Sequence, residues 1–141
     1  MVDALSRVRR WLKPGGILLD VRPTPEPVHL ELQTGLTIVC AGDMQDREGG
    51  GPNRRHAQAE VAMTLALASG WFRPEAHWAF AYHHCADSVP ELQDYADATW
   101  KDARFDDEAW RRAGAFVASE TNVEFWLNEQ ATMTRLVPIA D

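Results

Sequence analysis

A Lys-Pro-Gly-Gly turn followed at once by an apolar run is the feature that most constrains how this chain folds. The segment WLKPGGILLDVRP, residues 11–23, joins a helix end, this turn and a short strand-like run. Pro14 cannot continue a helix, and Gly15 and Gly16 adopt left-handed backbone geometry at little cost. The run ILLDV, residues 17–21, is almost wholly apolar, which is typical of a strand buried on both faces. The sequence therefore predicts an α/β fold with this strand inside a partly parallel sheet.

Composition limits the class of protein. A chain of 141 residues predicts a single domain, residues 1–141. Its formal net charge of −7 argues against binding to nucleic acid or to an anionic membrane surface, both of which attract basic faces. The two cysteines, Cys40 and Cys85, lie in no CxxC or CxxH pair, so we expect no metal site and no disulfide framework. The pattern shows no secretory signal and no membrane span, and we expect a cytoplasmic protein.

Periodicity and turn residues predict the remaining elements. In chain order these are a helix at 3–12, a strand at 17–21, an extended loop at 22–27, a hairpin of strands 28–32 and 36–41, a loop at 42–55, a helix at 54–70, a strand at 71–84, helices at 87–102 and 106–119, and a long or broken strand at 123–139. Ser88, Pro90 and Glu91 form the sequence pattern of a capping box with a proline in the first turn. In the helix at 54–70, Val61, Leu65 and Ala68 fall on one predicted apolar face.

Two motifs and the order of elements resemble the C-terminal half of a class I S-adenosylmethionine-dependent methyltransferase. The motifs are LSRVRRWLKPGGILLDVRP, residues 5–23, and ALASGWF, residues 66–72. The resemblance implies a partial Rossmann-like methyltransferase sheet, mixed with antiparallel closing strands and flanked by helices. The single domain would then be methyltransferase-like.

The cofactor-binding half of that family has no counterpart in this sequence. The family holds its cofactor with a glycine-rich loop after the first strand and an acid at the end of the second, and nothing before residue 13 supplies either. The glycine-dense segment REGGGPN, residues 47–53, follows no predicted buried strand. We therefore expect no cofactor-binding residue in this chain, and S-adenosylmethionine only if the missing half is supplied.

The resemblance thus implies a methyltransferase-like half-domain that is inactive alone. A natural truncated paralogue, one half of a split enzyme and a reading frame whose true start lies upstream are all compatible with it. An alternative is a non-catalytic dimerisation or small-ligand-binding module built on the same scaffold. In either case the predicted strand at 17–21 expects a neighbour that the chain lacks, and unpaired sheet edges are usually covered. We therefore expect a homodimer, or a partner chain that covers the open sheet edge.

The candidate substrate-binding residues are Asp20, Arg22 and Glu26. They follow or end the strand at 17–21, and the carboxyl ends of such strands border the ligand crevice in open α/β sheets. In the resembled family this loop often borders the acceptor substrate. The alternative is that Arg22 forms an ion pair and that the prolines of the loop only stiffen it. No catalytic residue is assigned.

Three other features have structural alternatives. In HHCAD, residues 83–87, His83, Cys85 and Asp87 are possible metal ligands, although a strand end with partly exposed histidines explains them as well. The acids of the predicted loop at 42–55 lack the spacing of an EF-hand and indicate a solvated loop. The six tryptophans favour core or interface anchors, with an aromatic ligand pocket as the alternative.

Overall fold

The structure is a computed structural model that describes residues 2–47 and 54–139. The described elements, in chain order, are α1 (Val2–Trp11), β1 (Leu18–Pro23), β2 (His29–Thr34), β3 (Thr37–Asp43), β4 (Gln45–Asp46), α2 (Arg54–Ala68), β5 (Phe72–Cys85), α3 (Val89–Thr99), β6 (Ala103–Arg104), α4 (Asp107–Ser119) and β7 (Glu124–Pro138). They form an α/β fold with a mostly antiparallel sheet, so the α/β class and the antiparallel closing strand are confirmed.

The described chain divides into two compact units. The first unit contains residues 2–25, 54–80 and 131–139, and the second contains residues 26–47 and 81–130. Strands β5 and β7 each contribute residues to both units. The expectation of a single domain stays a prediction.

Strand β7 is the common partner of the sheet. Its C-terminal part pairs antiparallel with β1, from Leu18 opposite Leu136 to Pro23 opposite Ala131. Its N-terminal part pairs antiparallel with β2, which also forms an antiparallel hairpin with β3. Strand β5 pairs with β7 as well. The predicted long strand at 123–139 is therefore a single strand.

The prediction that the strand at 17–21 is buried on both faces is wrong for this structure. Leu18 packs against the small core of the first unit, but Leu19 is 51% exposed and Val21 is 57% exposed. The strand pairs antiparallel with β7, and no parallel neighbour occurs among the described residues. A run of apolar residues this short does not reveal whether helices cover one face of a strand or both.

Helix α2 also turns a different face inward than predicted. Ala62, Met63 and Ala66 are buried, whereas Val61 is 59% exposed and Leu65 is 50% exposed. The inward face of α2 therefore consists of two alanines and Met63, with Leu67 packed beside them. The core of the first unit therefore has few members: Met63, Ala66, Phe72 and Leu136.

The second unit has the larger core, formed by one face of β2, β3 and β7 together with α3 and α4. Its fully buried large side chains include Leu30, Leu32, Leu92 and Leu127. Both helices begin where the sequence predicts: the Ser88 hydroxyl accepts from the Glu91 amide, and the Asp106 carboxylate accepts from the Ala109 amide. These caps satisfy amide groups that have no partner within the helix.

Residues at three element boundaries differ from the predictions. Part of the predicted loop at 42–55 is strand, because β3 continues to Asp43 and β4 pairs Gln45 with Arg104. The helix predicted at 87–102 ends at Thr99, and β1 extends into the predicted loop as far as Pro23. The glycine run at 49–51 lies outside the described residues.

We expect Gly42→Ala to destabilise the second unit, because α4 packs directly on the backbone of β3 at this position. A Cβ added to Gly42 would lie 2.5 Å from the Ala109 Cβ, too close for any real contact. The cost should be about 1–3 kcal/mol, typical of overpacking, measured by urea denaturation.

Gly114→Ala is the matched control for Gly42→Ala. A Cβ at Gly114, within α4, would meet no atom within 4 Å. Alanine should therefore stabilise the helix by about 0.5–1 kcal/mol, because it has the higher helix propensity. Equal effects of the two substitutions would contradict the close approach of α4 to β3.

Candidate functional site

The first candidate site is the end of β1, where Asp20 and Arg22 share a face. The Arg22 Nε lies 3.4 Å from the Asp20 Oδ2, and both side chains are mostly buried. The Asp20 Oδ2 accepts no hydrogen bond from the described residues. The ion pair named as the alternative role of Arg22 is thus present. Glu26 is exposed and begins the second unit. The role of these three residues at a substrate rim stays a prediction.

The candidate ligands of HHCAD do not converge on a metal ion. The His83 ring stacks on the indole of Trp126, with ring centroids 5.0 Å apart. Among the described residues, the only histidine, cysteine and acid group with donor atoms close enough for a shared ion lies elsewhere, on the β2–β3 hairpin. His83, Cys85 and Asp87 form no such group.

His84, the other histidine of this motif, belongs to a network around a buried carboxylate. Glu129 is the one buried charged side chain among the described residues, with 4% of its surface exposed. Its Oε2 lies 3.3 Å from the His84 Nε2, and the Tyr95 hydroxyl lies 2.7 Å from the His84 Nδ1. The Glu129 carboxylate also acts on Tyr82, whose pKa it helps to raise. We call Tyr82, His84, Tyr95 and Glu129 the Glu129 centre.

One neutral tautomer of His84 allows both of its ring nitrogens to form hydrogen bonds within the Glu129 centre. With a proton on Nε2, His84 donates to the Glu129 carboxylate, and its Nδ1 accepts from the Tyr95 hydroxyl. A buried carboxylate without such a donor would cost several kcal/mol, so this pairing makes its burial possible.

Aromatic rings enclose the His84 imidazole. The Trp100 ring lies edge-on, with centroids 5.5 Å apart, and the Tyr82 ring lies edge-on at 5.1 Å. Desolvation and the neighbouring Glu129 carboxylate raise the pKa of Tyr82 well above its usual value of 10.0. The Tyr82 phenol is therefore held in its neutral form.

The Glu129 centre has the arrangement of a proton relay. Tyr95 is 39% exposed, and its hydroxyl is bonded to an imidazole that a buried carboxylate orients. A carboxylate that fixes the tautomer of a histidine, with a hydroxyl on its other nitrogen, is the arrangement used in general base catalysis. The centre can also bind a small polar ligand that hydrogen-bonds Tyr95.

The sequence indicates only part of this centre. Ligand-type residues are dense in HHCAD, which contains His84, but no sequence prediction included Glu129 or Tyr95. A signal for Glu129 was available, since this acid alternates with the apolar residues Leu127 and Ala131 along β7. Tyr95 gave none, because it lies on an exposed part of α3.

Comparison with known protein families, with curated proteins and with solved structures finds no match to this chain. Within the described residues, no helix is both long enough and apolar enough to cross a lipid bilayer. The geometry of the chain itself is therefore the basis for a proposed function.

The raised pKa of Tyr82 predicts an alkaline loss of stability. Because its pKa is higher in the folded state than the 10.0 of the unfolded state, Tyr82 contributes stability below about pH 10 that is lost as the pH rises further. The chain has two tyrosines, so Tyr95→Phe leaves Tyr82 as the only one. Its tyrosinate absorbance should appear well above pH 10 in the folded variant and near pH 10 in denaturant.

Glu129→Gln, added to Tyr95→Phe, tests the cause of this shift. Removing the Glu129 charge should move the tyrosinate midpoint down, while burial keeps it above its value in denaturant. A midpoint near pH 10 in the folded Tyr95→Phe variant would contradict the burial of Tyr82 against Glu129.

Proposed function

We propose that this chain is the C-terminal half of a class I S-adenosylmethionine-dependent methyltransferase-like domain, with its cofactor-binding half supplied from elsewhere. That half would come from a partner chain or from sequence outside these 141 residues. In this proposal, β1 belongs to the Rossmann-like part of the sheet and β7 is its antiparallel closing strand. The open edge of β1 is the observation that supports this proposal.

Strand β1 has one free edge and one exposed apolar face. Among the described residues, β1 pairs with β7 alone, so the backbone groups on its other edge have no strand partner. Ile17, Leu19 and Val21 are 42%, 51% and 57% exposed. A long, apolar and unprotected edge strand promotes association with another chain. This is the surface where the resembled family continues its sheet, and a partner chain or a second copy is proposed to cover it.

We propose that the described residues do not themselves form a site for S-adenosylmethionine. A nucleotide loop needs glycine where the backbone approaches the cofactor, and β1 is instead followed by the proline-rich segment 22–27. We therefore propose that the isolated chain is inactive. Its contribution to a completed enzyme would be a rim for the acceptor substrate, in which Asp20 and Arg22 present paired charges at the end of β1.

A second candidate is a non-catalytic small-ligand-binding or dimerisation module. The Glu129 centre favours the ligand-binding form of this candidate, because Tyr95 is partly exposed, so a small polar ligand can bind its hydroxyl, and the whole centre lies within the second unit. Such a module would bind its ligand without the missing half. The two candidates therefore differ in whether a methyl-donor cofactor has any effect once the sheet is completed.

Ligand-induced thermal stabilisation tests the methyltransferase proposal. The isolated chain should show no shift with S-adenosylhomocysteine. Upstream DNA, or that of a neighbouring gene, should encode a glycine-rich loop, and co-expression of that segment should restore binding. A hundredfold excess over Kd then stabilises by about 2.7 kcal/mol, which is a shift of about 5–10 °C for a completed domain. A co-folded complex without any shift would favour the second candidate.

Leu19→Lys tests the exposed face of β1. Size-exclusion chromatography with light scattering, over a range of concentrations, should show self-association of the wild-type chain that Leu19→Lys abolishes. A charge placed in an apolar contact must be desolvated, whereas on a free surface it changes stability by less than about 0.5 kcal/mol.

Leu36→Lys is the matched control, because Leu36 is fully exposed at the turn of the β2–β3 hairpin. It should associate like the wild type. A wild-type chain that is well folded and strictly monomeric at every concentration would overturn self-association. A partner chain that carries the missing half would then be the remaining proposal for what covers β1.

A further inference from the structure

A β-bulge in the β2–β3 hairpin brings three potential metal ligands onto one face. The register pairs His29 with Asp43, Leu30 with Gly42 and Glu31 with Cys40, with a shift between Leu30 and Glu31. Cys40 and Asp43 are three residues apart, so in a regular strand they would point to opposite faces. The extra residue, Ala41, turns inward and is buried. Cys40 and Asp43 consequently share the face that carries His29.

The donor atoms on this face are close together. The His29 Nδ1 lies 2.7 Å from the Asp43 Oδ1, and the Cys40 Sγ lies 3.5 Å from the same oxygen. A ligand atom from each of the three side chains lies within 4.8 Å of the other two. A tetrahedral ion with bonds of about 2.0–2.3 Å holds its ligand atoms about 3.3–3.8 Å apart. The three side chains need only small rotations to reach that spacing.

We propose that His29, Cys40 and Asp43 bind a zinc-type divalent transition metal on the β2–β3 hairpin. Thiolate and imidazole are ligands that favour zinc and its neighbours, whereas calcium and magnesium select sites made of oxygen atoms. Three protein ligands leave the fourth tetrahedral position to water, as in zinc sites that remain open to a substrate.

Charge and exposure on this face suit a cation. Glu31, opposite Cys40 in the hairpin, lies on the same face and accepts hydrogen bonds from the Trp126 Nε1 at 3.1 Å and the Asn128 Nδ2 at 3.0 Å. It adds a fixed negative charge beside the three ligands. The side chains of His29 and Asp43 are 31% and 47% exposed, so an ion has access from solvent.

Binding exchanges the thiol proton for the ion. Without metal, burial and the neighbouring Asp43 carboxylate raise the pKa of Cys40, and the thiol donates to that carboxylate. Binding forms a metal–sulfur bond and releases this proton to solvent, while the carboxylate exchanges its hydrogen bond for a bond to the metal. No redox step is involved.

Titration of the whole chain with Zn²⁺ and with Co²⁺ tests the site. Calorimetry near neutral pH should give one Zn²⁺ per chain, and Co²⁺ should produce the near-ultraviolet absorption of a thiolate ligand. Cys40→Ser should abolish that absorption and weaken Zn²⁺ binding by more than about 100-fold, beyond the usual loss for residues that only support a ligand. His29→Ala and Asp43→Asn should each weaken binding as well.

Cys85→Ser is the matched control, because Cys85 is the other exposed free thiol. It should bind Zn²⁺ like the wild type. Zn²⁺ should also slow the alkylation of Cys40 but not of Cys85, measured by mass spectrometry of each cysteine peptide, which does not depend on any variant folding. Absence of binding, equal affinity in Cys40→Ser, or equal protection of both thiols would each overturn the site.

Discussion

The backbone pairing of β7 is the constraint on which the rest of the structure depends. Its 15 residues supply hydrogen-bonding partners to β1, β2 and β5, and it contributes residues to the cores of both units. The buried positions change phase along it, from Leu127, Glu129 and Ala131 to Leu136. One strand thus contributes to two different cores. A residue here is constrained by its neighbours across the sheet as well as by the core to which it contributes.

The local elements follow from the sequence to a large extent, because their signals are short-range. The predicted cap Ser88 accepts a hydrogen bond from the amide of Glu91, three residues later, and the hairpin, β5 and β7 lie where alternation predicts them. The surroundings of an element do not follow in the same way. The five residues at 17–21 specify a strand, but whether its neighbours are parallel, antiparallel or absent depends on distant parts of the chain. The inward face of α2 was misassigned for the same reason.

The polar sites likewise combine residues that the sequence indicates with partners from distant parts of the chain that it does not. The density of ligand-type residues in HHCAD indicated a possible metal site there. In the structure, His83 stacks on Trp126, and the His84 Nε2 contacts the Glu129 carboxylate. The partners that give His84 its character come from α3 and β7, 11 and 45 residues away. The His29, Cys40 and Asp43 group depends on the bulge at Ala41, and the wrong loop prediction for residues 42–55 hid the part of β3 that carries Asp43. No spacing rule applied to a regular strand brings Cys40 and Asp43 onto one face.

The two units differ in how completely they bury their apolar surface. The second unit has the larger core and pairs its buried carboxylate with His84, although Leu36 and Ile38 of the β2–β3 hairpin are exposed. The first unit has a small core and leaves Leu19, Val21, Val61, Leu65 and Trp78 largely exposed. At about 25 cal/mol per Å² of apolar area, covering such a surface yields substantial free energy. In the proposed function, the missing half would attach to this first unit, which carries the two methyltransferase-like motifs, and would cover these apolar side chains.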